Sequence, residues 1–547
     1  MSLATNNPAG DGAAGARQYM AWLIVIAVSI VCASIRIHLL DVPLERDEGE
    51  YAYAAQLLLN GIPPYEHMHT MKLPGVFGAY AIFMLAFGQS TEAIHLGLTL
   101  LNALTSVLVF LLARKFLEPL PSAFSSAFFS ILSMNSAFLG LSANAEHFAV
   151  LFIVAGALFL FKSMEAGKAF FFFLCGLFFG VAFLMKQHAV FFMGLPVVYL
   201  SAFLLRTHAY PFGKRLSRTF LFVAGAGLPF GLTCLVFMLW GVFDKFFFWT
   251  FSYASKYVSL ISLSDGLSNL GDAFSLMKDS ALPLLAIAGA GLFFPPHGES
   301  ARSARIFFWS FLVISAISIL PGLYFRSHYF ILVLPAAALF FGAAVSRVKG
   351  VLERYGLRRA GWALACVFLL VLAYPLYKER TLLFFSSPDE ISRIIYGANP
   401  FPESVGIARY IRENSGPDDR VAVLGSEPQI YFLSNRLSAT GYIYMYPIVE
   451  GHAYSSTMEM ELRNDIAEGK PLFLVYVNIP VSWGITNESM PKIADWFSRF
   501  DLSGYSLEGV VEIKRGGPQY YWSRFTNVDY SAKDFQGQAV YVLKRIS

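Results

Sequence analysis

Residues 44–53 read LERDEGEYAY, and they follow the first long apolar segment of the chain almost at once. Four charges fall in the five positions 45–49, beside a segment suited to a bilayer. Charges beside a membrane helix are commonly solvated flank residues, and the alternative is that they carry the chemistry. Tyr51, Ala54, Ala55, Leu58 and Leu59 give an amphipathic helical pattern that starts here, which puts Asp47 and Glu48 in its first turn. Adjacent helical side chains point roughly 100° apart, so one acid is expected to face a substrate while the other supports it. A carboxylate held near the bilayer and away from bulk water gains basicity, which suits a general base. Arg46 and Lys72 are placed to hold a phosphate or to neutralise the partner acid.

Composition sets the class. The 547 residues are 56% hydrophobic and only 14% charged, with a mean hydropathy of +0.54. Soluble domains carry about 25% charged residues, so an integral membrane protein is expected. A net charge of +4 gives no reason to expect a nucleic-acid partner. Cys32, Cys175, Cys234 and Cys366 all lie in apolar runs without metal-ligand spacing, and they read as buried thiols. Residues 1–18 read as a disordered cytoplasmic N-terminus, and 19–40 as an uncleaved anchor.

Eleven apolar windows are long enough to span, or nearly so: 19–40, 93–113, 121–141, 147–161, 169–185, 189–205, 219–240, 280–296, 306–321, 328–346 and 360–377. A twelfth stretch, Leu73 to Gly88, is short and carries Pro74, Gly75 and Gly78, so it is placed flat against the membrane. Eleven spans with a cytoplasmic N-terminus put sixteen Lys and Arg on the inner loops and eight outside before the tail, which obeys the positive-inside rule. Counting Leu73–Gly88 as a span would reverse everything after it. The expected fold is a polytopic α-helical membrane domain over 19–379, with an interfacial helical first loop, followed by an extracytoplasmic soluble α/β domain over 380–547. That tail shows strand-like runs at 420–424 and 471–477 and helical segments near 403–414 and 456–468.

This topology gathers unusual polar residues at one surface: the 46–50 acids and Arg46, His67, His69, Lys72, Glu146, Lys186, Gln187, Arg326, His328 and Tyr329, with an aromatic loop at 241–278. Several have plainer readings. Lys186 alone suits a snorkelling anchor, Glu146 suits a helix N-terminus, and His67 with His69 makes a weak metal pair. Glu45 and Glu50 read as unremarkable flank charges.

Asp47-Glu48-Gly49-Glu50-Tyr51-Ala52 resembles the D-E-x-x-Y-A first-loop motif of GT-C glycosyltransferases related to protein O-mannosyltransferases and to the bacterial aminoarabinose transferase of lipid A. Gly61-Ile62-Pro63-Pro64-Tyr65 with Lys72-Leu73-Pro74-Gly75, Met185-Lys186-Gln187, Arg326-Ser327-His328-Tyr329-Phe330 leading to Pro335, and residues 407–444 resemble further elements of its bacterial branch. Lys72-Leu73-Pro74 departs from the family's frequent K-P-P. The resemblance implies that Asp47 is the general base and Glu48 its supporting acid or a metal contact. Lys72 is then the residue that holds the donor phosphate, Arg326, His328 and Lys186 are further phosphate candidates, and Glu146 is a second-loop acid for acceptor or sugar.

The implied reaction is an inverting transfer of a sugar from a polyprenyl-phosphate donor in the lipid bilayer to an extracytoplasmic acceptor. Lipid A or lipopolysaccharide, another cell-envelope glycan and a protein hydroxyl are all open as that acceptor. Dependence on a divalent metal is open too. The enzyme is expected in the inner (plasma) membrane. The alternatives are an O-antigen ligase or polymerase and a lipid-linked sugar transporter. A transporter calls for ionisable residues near the middle of its spans, whereas here the acids collect at their outer ends.

Overall fold

The computed structural model describes residues 8–207, 212–294, 301–356, 361–484, 497, 500, 502–514, 516–522 and 538–546. Each of the eleven apolar windows contains a helix. Five described helical stretches are long and apolar enough to cross a membrane: Gly15–His38, Thr91–Ala113, Ala145–Ala166, Gly213–Leu239 and Leu334–Arg354. The bent pair Leu263–Lys278 and Leu282–Gly291, at 106°, makes a sixth if it is one span. The other apolar helices are shorter, among them Pro119–Leu132, Ala169–Met185 and Ala363–Lys378. The chain is a multi-pass membrane protein. Its first helix, Pro8–His38, begins inside the stretch read above as disordered.

The opening stretch forms the helix Arg46–Leu59. Glu45 caps it and completes a capping box: its carboxylate accepts from the Glu48 backbone N–H, while Glu48 accepts from that of Glu45. Acids at a helix start also complement its dipole. Every residue from Glu48 to Leu57 is buried, Glu50 and Gln56 included, so the helix has no solvent face. It is pressed between the membrane helices and the C-terminal domain.

Two glycines permit close approaches. A methyl group on Gly49 would lie 2.6 Å from the backbone nitrogen of Gln429, in the helix Gln429–Ser434 of the C-terminal domain. A methyl on Gly75 would lie 2.5 Å from the carbonyl oxygen of Leu184. The Gly75–Phe87 helix, which forms most of the Leu73–Gly88 stretch, lies beside Arg46–Leu59. Lys72, just before it, meets Asp47, and Gln89, just after it, accepts from Gln56 Nε2 at 3.2 Å. Both ends of this short helix therefore touch the same 14-residue neighbour.

The C-terminal domain carries a five-stranded sheet: β1 (Val421–Leu424), β2 (Phe473–Val477), β3 (Tyr505–Glu512), β4 (Gln519–Trp522) and β5 (Ala539–Arg545), in the order β1-β2-β5-β3-β4. β1 and β2 are parallel and the remaining pairs antiparallel. The helices Phe401–Glu413 and Ser455–Gly469 match the two segments expected there. Both parallel strands are buried along their whole length, which is why they read as unbroken apolar runs.

Candidate active site

A cavity of about 810 Å³ opens where the first loop, the 186–191 and 321–329 connections, the aromatic segment after Val242 and the C-terminal domain meet. Asp47, Arg46, Lys72, Lys186, Gln187, Arg326, His328 and Tyr329 all line it. Glu48 and Glu146 stand behind the wall.

Asp47 and Lys72 form its polar centre. Lys72 Nζ lies 2.6 Å from Asp47 Oδ1 and 2.8 Å from Glu50 Oε2. It also sits 4.6 Å from the centre of the Tyr51 ring. The segment carrying Lys72 is held on three sides. Tyr65 donates its hydroxyl to the Lys72 carbonyl at 2.6 Å, Gln187 Nε2 donates to the Met71 carbonyl at 2.6 Å, and Gly75 packs on Leu184. Glu50, read above as a flank charge, is buried; it pairs with Lys72 and accepts from the Thr70 hydroxyl.

The charges settle Asp47's resting state. Burial raises its proton affinity, but Lys72, with His328 and Lys186 beyond it, outweighs burial and holds the carboxyl well below the usual range. The raised basicity anticipated for this acid is therefore absent while Lys72 is paired with it. Lys72 is in turn held above its ordinary value, since Asp47 and Glu50 overcome the burial that opposes its charge. Glu45 is pushed up to about 8 by burial and by the adjacent charges of Asp47 and Glu48.

Glu48 points away from the cavity. Its Oε1 accepts from the Ala143 backbone N–H at 2.6 Å and lies 3.1 Å from His95 Nε2, and Oε2 accepts from the Glu45 backbone. With both oxygens engaged, the alternative of a metal contact does not fit this side chain. Among the described residues no three His, Cys, Asp or Glu side chains converge as a metal-binding group. His69 is stacked on Trp249 at 4.7 Å and meets Tyr442 edge-on at 4.5 Å. Burial, then Lys245, pushes His69 down to about 3.

Arg46 is committed elsewhere. Its guanidinium donates to the Ser426 carbonyl at 2.6 Å, Tyr446 Oη at 2.8 Å and Asn399 Oδ1 at 2.9 Å, and it pairs with buried Glu427 at 3.3 Å. These contacts join the first loop to the C-terminal domain.

A second pair lies across the cavity. Lys186 Nζ is 2.8 Å from Glu146 Oε1 and 4.6 Å from the Tyr329 ring centre. His328 Nε2 is 4.0 Å from the same Glu146 oxygen. Lys186 is thus ion-paired and faces the cavity, unlike a lone snorkelling anchor. Arg326 rests over the Tyr324 ring at 5.5 Å with no carboxylate partner among the described residues. The turn presenting it holds Leu323 and Phe325 at positive φ, 54° and 43°. Bulky residues adopt that conformation only under constraint, and such outliers cluster at functional sites.

Residues 72–240, less than a third of the chain, match the family model for dolichyl-phosphate-mannose-protein mannosyltransferase. The structure of ArnT from Cupriavidus metallidurans bound to undecaprenyl phosphate superposes with a TM-score of 0.55 at 16% identity, over 95% of this chain and 97% of that one. The chain shares the fold of that structure. The likeness of fold extends to the archaeal oligosaccharyltransferase AglB from Archaeoglobus fulgidus in complex with an inhibitory peptide and a dolichol-phosphate (TM-score 0.50, 13% identity, 92% of this chain and 75% of that one). It extends also to the arabinofuranosyltransferase AftD from Mycobacteria (0.50, 13%, 96% and 40%). No curated protein matches the chain in sequence.

Sequence reading gathered the 241–278 aromatic loop at this surface, but it named none of that loop's residues and no tyrosine of the C-terminal domain as a site residue. Tyr444 and Tyr446 come from the C-terminal domain, nearly 400 positions from Asp47, and Trp249, Tyr253 and Tyr257 come from the aromatic segment. That segment is short helical pieces around a π-turn, Phe248–Tyr253, with Trp249 and Tyr253 buried against the C-terminal domain. The only signal was aromatic density.

Proposed function

We propose that this chain is an inverting glycosyltransferase that moves a sugar from a polyprenyl-phosphate donor to an acceptor outside the cytoplasm, with Asp47 as the general base. The observation that carries the reading is the contact of Lys72 with Asp47 in one cavity: a phosphate-binding cation sits directly on the candidate base. ArnT and AglB, which share the fold, hold undecaprenyl phosphate and dolichol-phosphate respectively.

In the resting site Lys72 suppresses Asp47's basicity. A donor phosphate that draws the Lys72 ammonium toward itself releases the carboxylate, so the base becomes effective when the donor is bound. An acceptor hydroxyl then gives its proton to Asp47 as its oxygen attacks the anomeric carbon from the face opposite the phosphate. The bond from that carbon to the phosphate oxygen breaks, and the electron pair leaves with the polyprenyl phosphate. Lys72, Lys186 and Arg326 are the cavity cations available to stabilise that charge. Glu146 keeps Lys186 in place, and Glu48 anchors the helix that carries Asp47. The apolar architecture suits a donor whose tail stays in the bilayer.

The proposed topology has eleven spans, a cytoplasmic N-terminus, and the cavity and C-terminal domain on the outer face of the inner (plasma) membrane. The test is mass spectrometry of envelope glycans and lipid A from cells with the protein, without it, and with Asp47→Asn. Loss of one sugar modification in both the deletion and the variant is expected. Unchanged glycans on deletion would overturn the transferase reading, and near-full modification with Asp47→Asn would remove Asp47 as the base.

A further inference from the structure

The C-terminal domain reaches into the polar centre of the cavity at one point. The Tyr444 hydroxyl donates to Asp47 Oδ1 at 3.0 Å, the same oxygen that contacts Lys72. Its ring stands over the Lys72 ammonium, 5.7 Å from the centroid. Both contacts fall on Oδ1, and no hydrogen bond from the described residues is made to Oδ2. We infer that Tyr444 is a positioning residue for the transfer: it fixes the Asp47 carboxylate so that Oδ2 is the oxygen that takes the acceptor's proton. The inference rests on Asp47 being the base.

The backbone around Tyr444 is built for this placement. Met445 N–H donates to Ser426 Oγ at 3.0 Å, and the Ser426 carbonyl accepts from Arg46 Nε at 2.6 Å. One serine therefore ties the residue after Tyr444 to the residue before Asp47. Tyr446 packs on the Tyr444 ring, with centroids 5.8 Å apart and planes at 69°. Burial, then the charges of Glu50 and Asp47, pushes the Tyr444 phenol upward, so it stays a donor at physiological pH. The chemistry assigns its effect. A hydrogen bond to the ionised form steadies a carboxylate, and this one persists when Lys72 turns to the donor phosphate. Asp47 then keeps its orientation while it gains basicity.

The charged and titratable groups facing Asp47 are Lys72, Glu45, Lys186 and His328, with the phenols of Tyr51, Tyr80, Tyr396 and Tyr446. None of them is altered by removing the Tyr444 hydroxyl. Tyr444→Phe keeps the ring over Lys72 and against Tyr446. With the donor saturating, kcat is expected to fall by about tenfold, with donor KM unchanged. The acid limb of the kcat profile should move up by about one pH unit, because the carboxylate loses a donor.

A domain-packing role alone would lower thermal stability and leave that limb in place, which overturns the inference. Should Tyr444→Phe fail to fold, 3-fluorotyrosine at 444 keeps the shape and strengthens the donor. The acid limb should then move to lower pH, and an unmoved limb is again fatal. Asp47→Asn run in parallel separates the two levels. If it retains activity, the base assignment itself fails; if it is inactive while both Tyr444 variants match the parent, only the role of Tyr444 fails.

Discussion

Arg46 and Asp47 are adjacent in the chain and serve opposite partners: Arg46 grips Ser426, Tyr446, Asn399 and Glu427 of the C-terminal region, while Asp47 turns into the cavity toward Lys72. One helical step divides the joint between domains from the polar centre of the cavity. The geometry of the site is therefore tied to how the two domains meet.

Removing Arg46 leaves Glu427, whose side chain is only 1% exposed, without its cation. Breaking a buried pair in this way costs about 3–5 kcal/mol. Arg46→Ala should lower the thermal midpoint of the detergent-solubilised protein and speed proteolysis within the C-terminal domain. Arg46→Lys should recover only part of the loss, because an ammonium cannot reproduce the guanidinium's fork.

Lys72→Met removes both the cation proposed to hold the donor phosphate and the charge that suppresses Asp47. A fall in kcat/KM of about 10²–10³ is expected, in line with the loss of one charge-stabilising donor. Because Lys72 holds the Asp47 carboxyl below its usual range, its removal should also move the acid limb of kcat/KM to higher pH. The same pair stabilises the fold. A depressed carboxyl contributes stability that is present above its unfolded value, about 3.9, and lost as pH falls toward the folded value. The parent should therefore lose more stability than the variant below about pH 4, as read by thermal unfolding.

Glu45 has the opposite sign. Its folded value is about 8, against roughly 4.3 in an unfolded chain. The folded state thus binds this proton more tightly, and stability is lost as pH rises between those two values. Glu45→Gln keeps a side-chain acceptor for the Glu48 N–H and removes the titration. Its thermal midpoint should exceed the parent's at pH 8.5, with the difference shrinking toward pH 4. A constant difference across that range would count against the assignment.

Gly49→Ala should weaken the seat of the C-terminal domain. The added methyl would meet the backbone of Gln429, which cannot yield as a flexible side chain can, and overpacking of this kind costs about 1–3 kcal/mol. Gly78→Ala is the control: it lies in the Gly75–Phe87 helix with nothing within 4 Å of the new atom. A change of about 0.5–1 kcal/mol in the stabilising direction is expected there, from helix propensity.

The membrane helices were legible because apolar side chains face both lipid and protein around them, and the two parallel strands because burial on both faces writes unbroken apolar runs into a sequence. So was the divergence of Asp47 and Glu48, since the angle between neighbouring helical positions sends one into the cavity and the other toward His95 and Ala143. Glu50 and Arg46 were misjudged for the opposite reason. Their partners, Lys72 and Glu427, lie 22 and 381 positions away, and a charge satisfied at a distance looks the same in sequence as one facing water. Tyr444 was hidden in the same way: one phenol among many, with its meaning supplied only by the fold.

The link between Tyr444 and Asp47 spans 397 positions. During synthesis the first-loop helix leaves the ribosome while more than two thirds of the chain is still unmade. Until the tail has been made and has docked, Arg46 has no Ser426 to grip and Asp47 lacks its phenol. A nascent or truncated chain in the membrane would carry every conspicuous motif and still present an unfinished cavity. The cavity is thus completed late, only after the chain has been made through Tyr444 and the tail has docked.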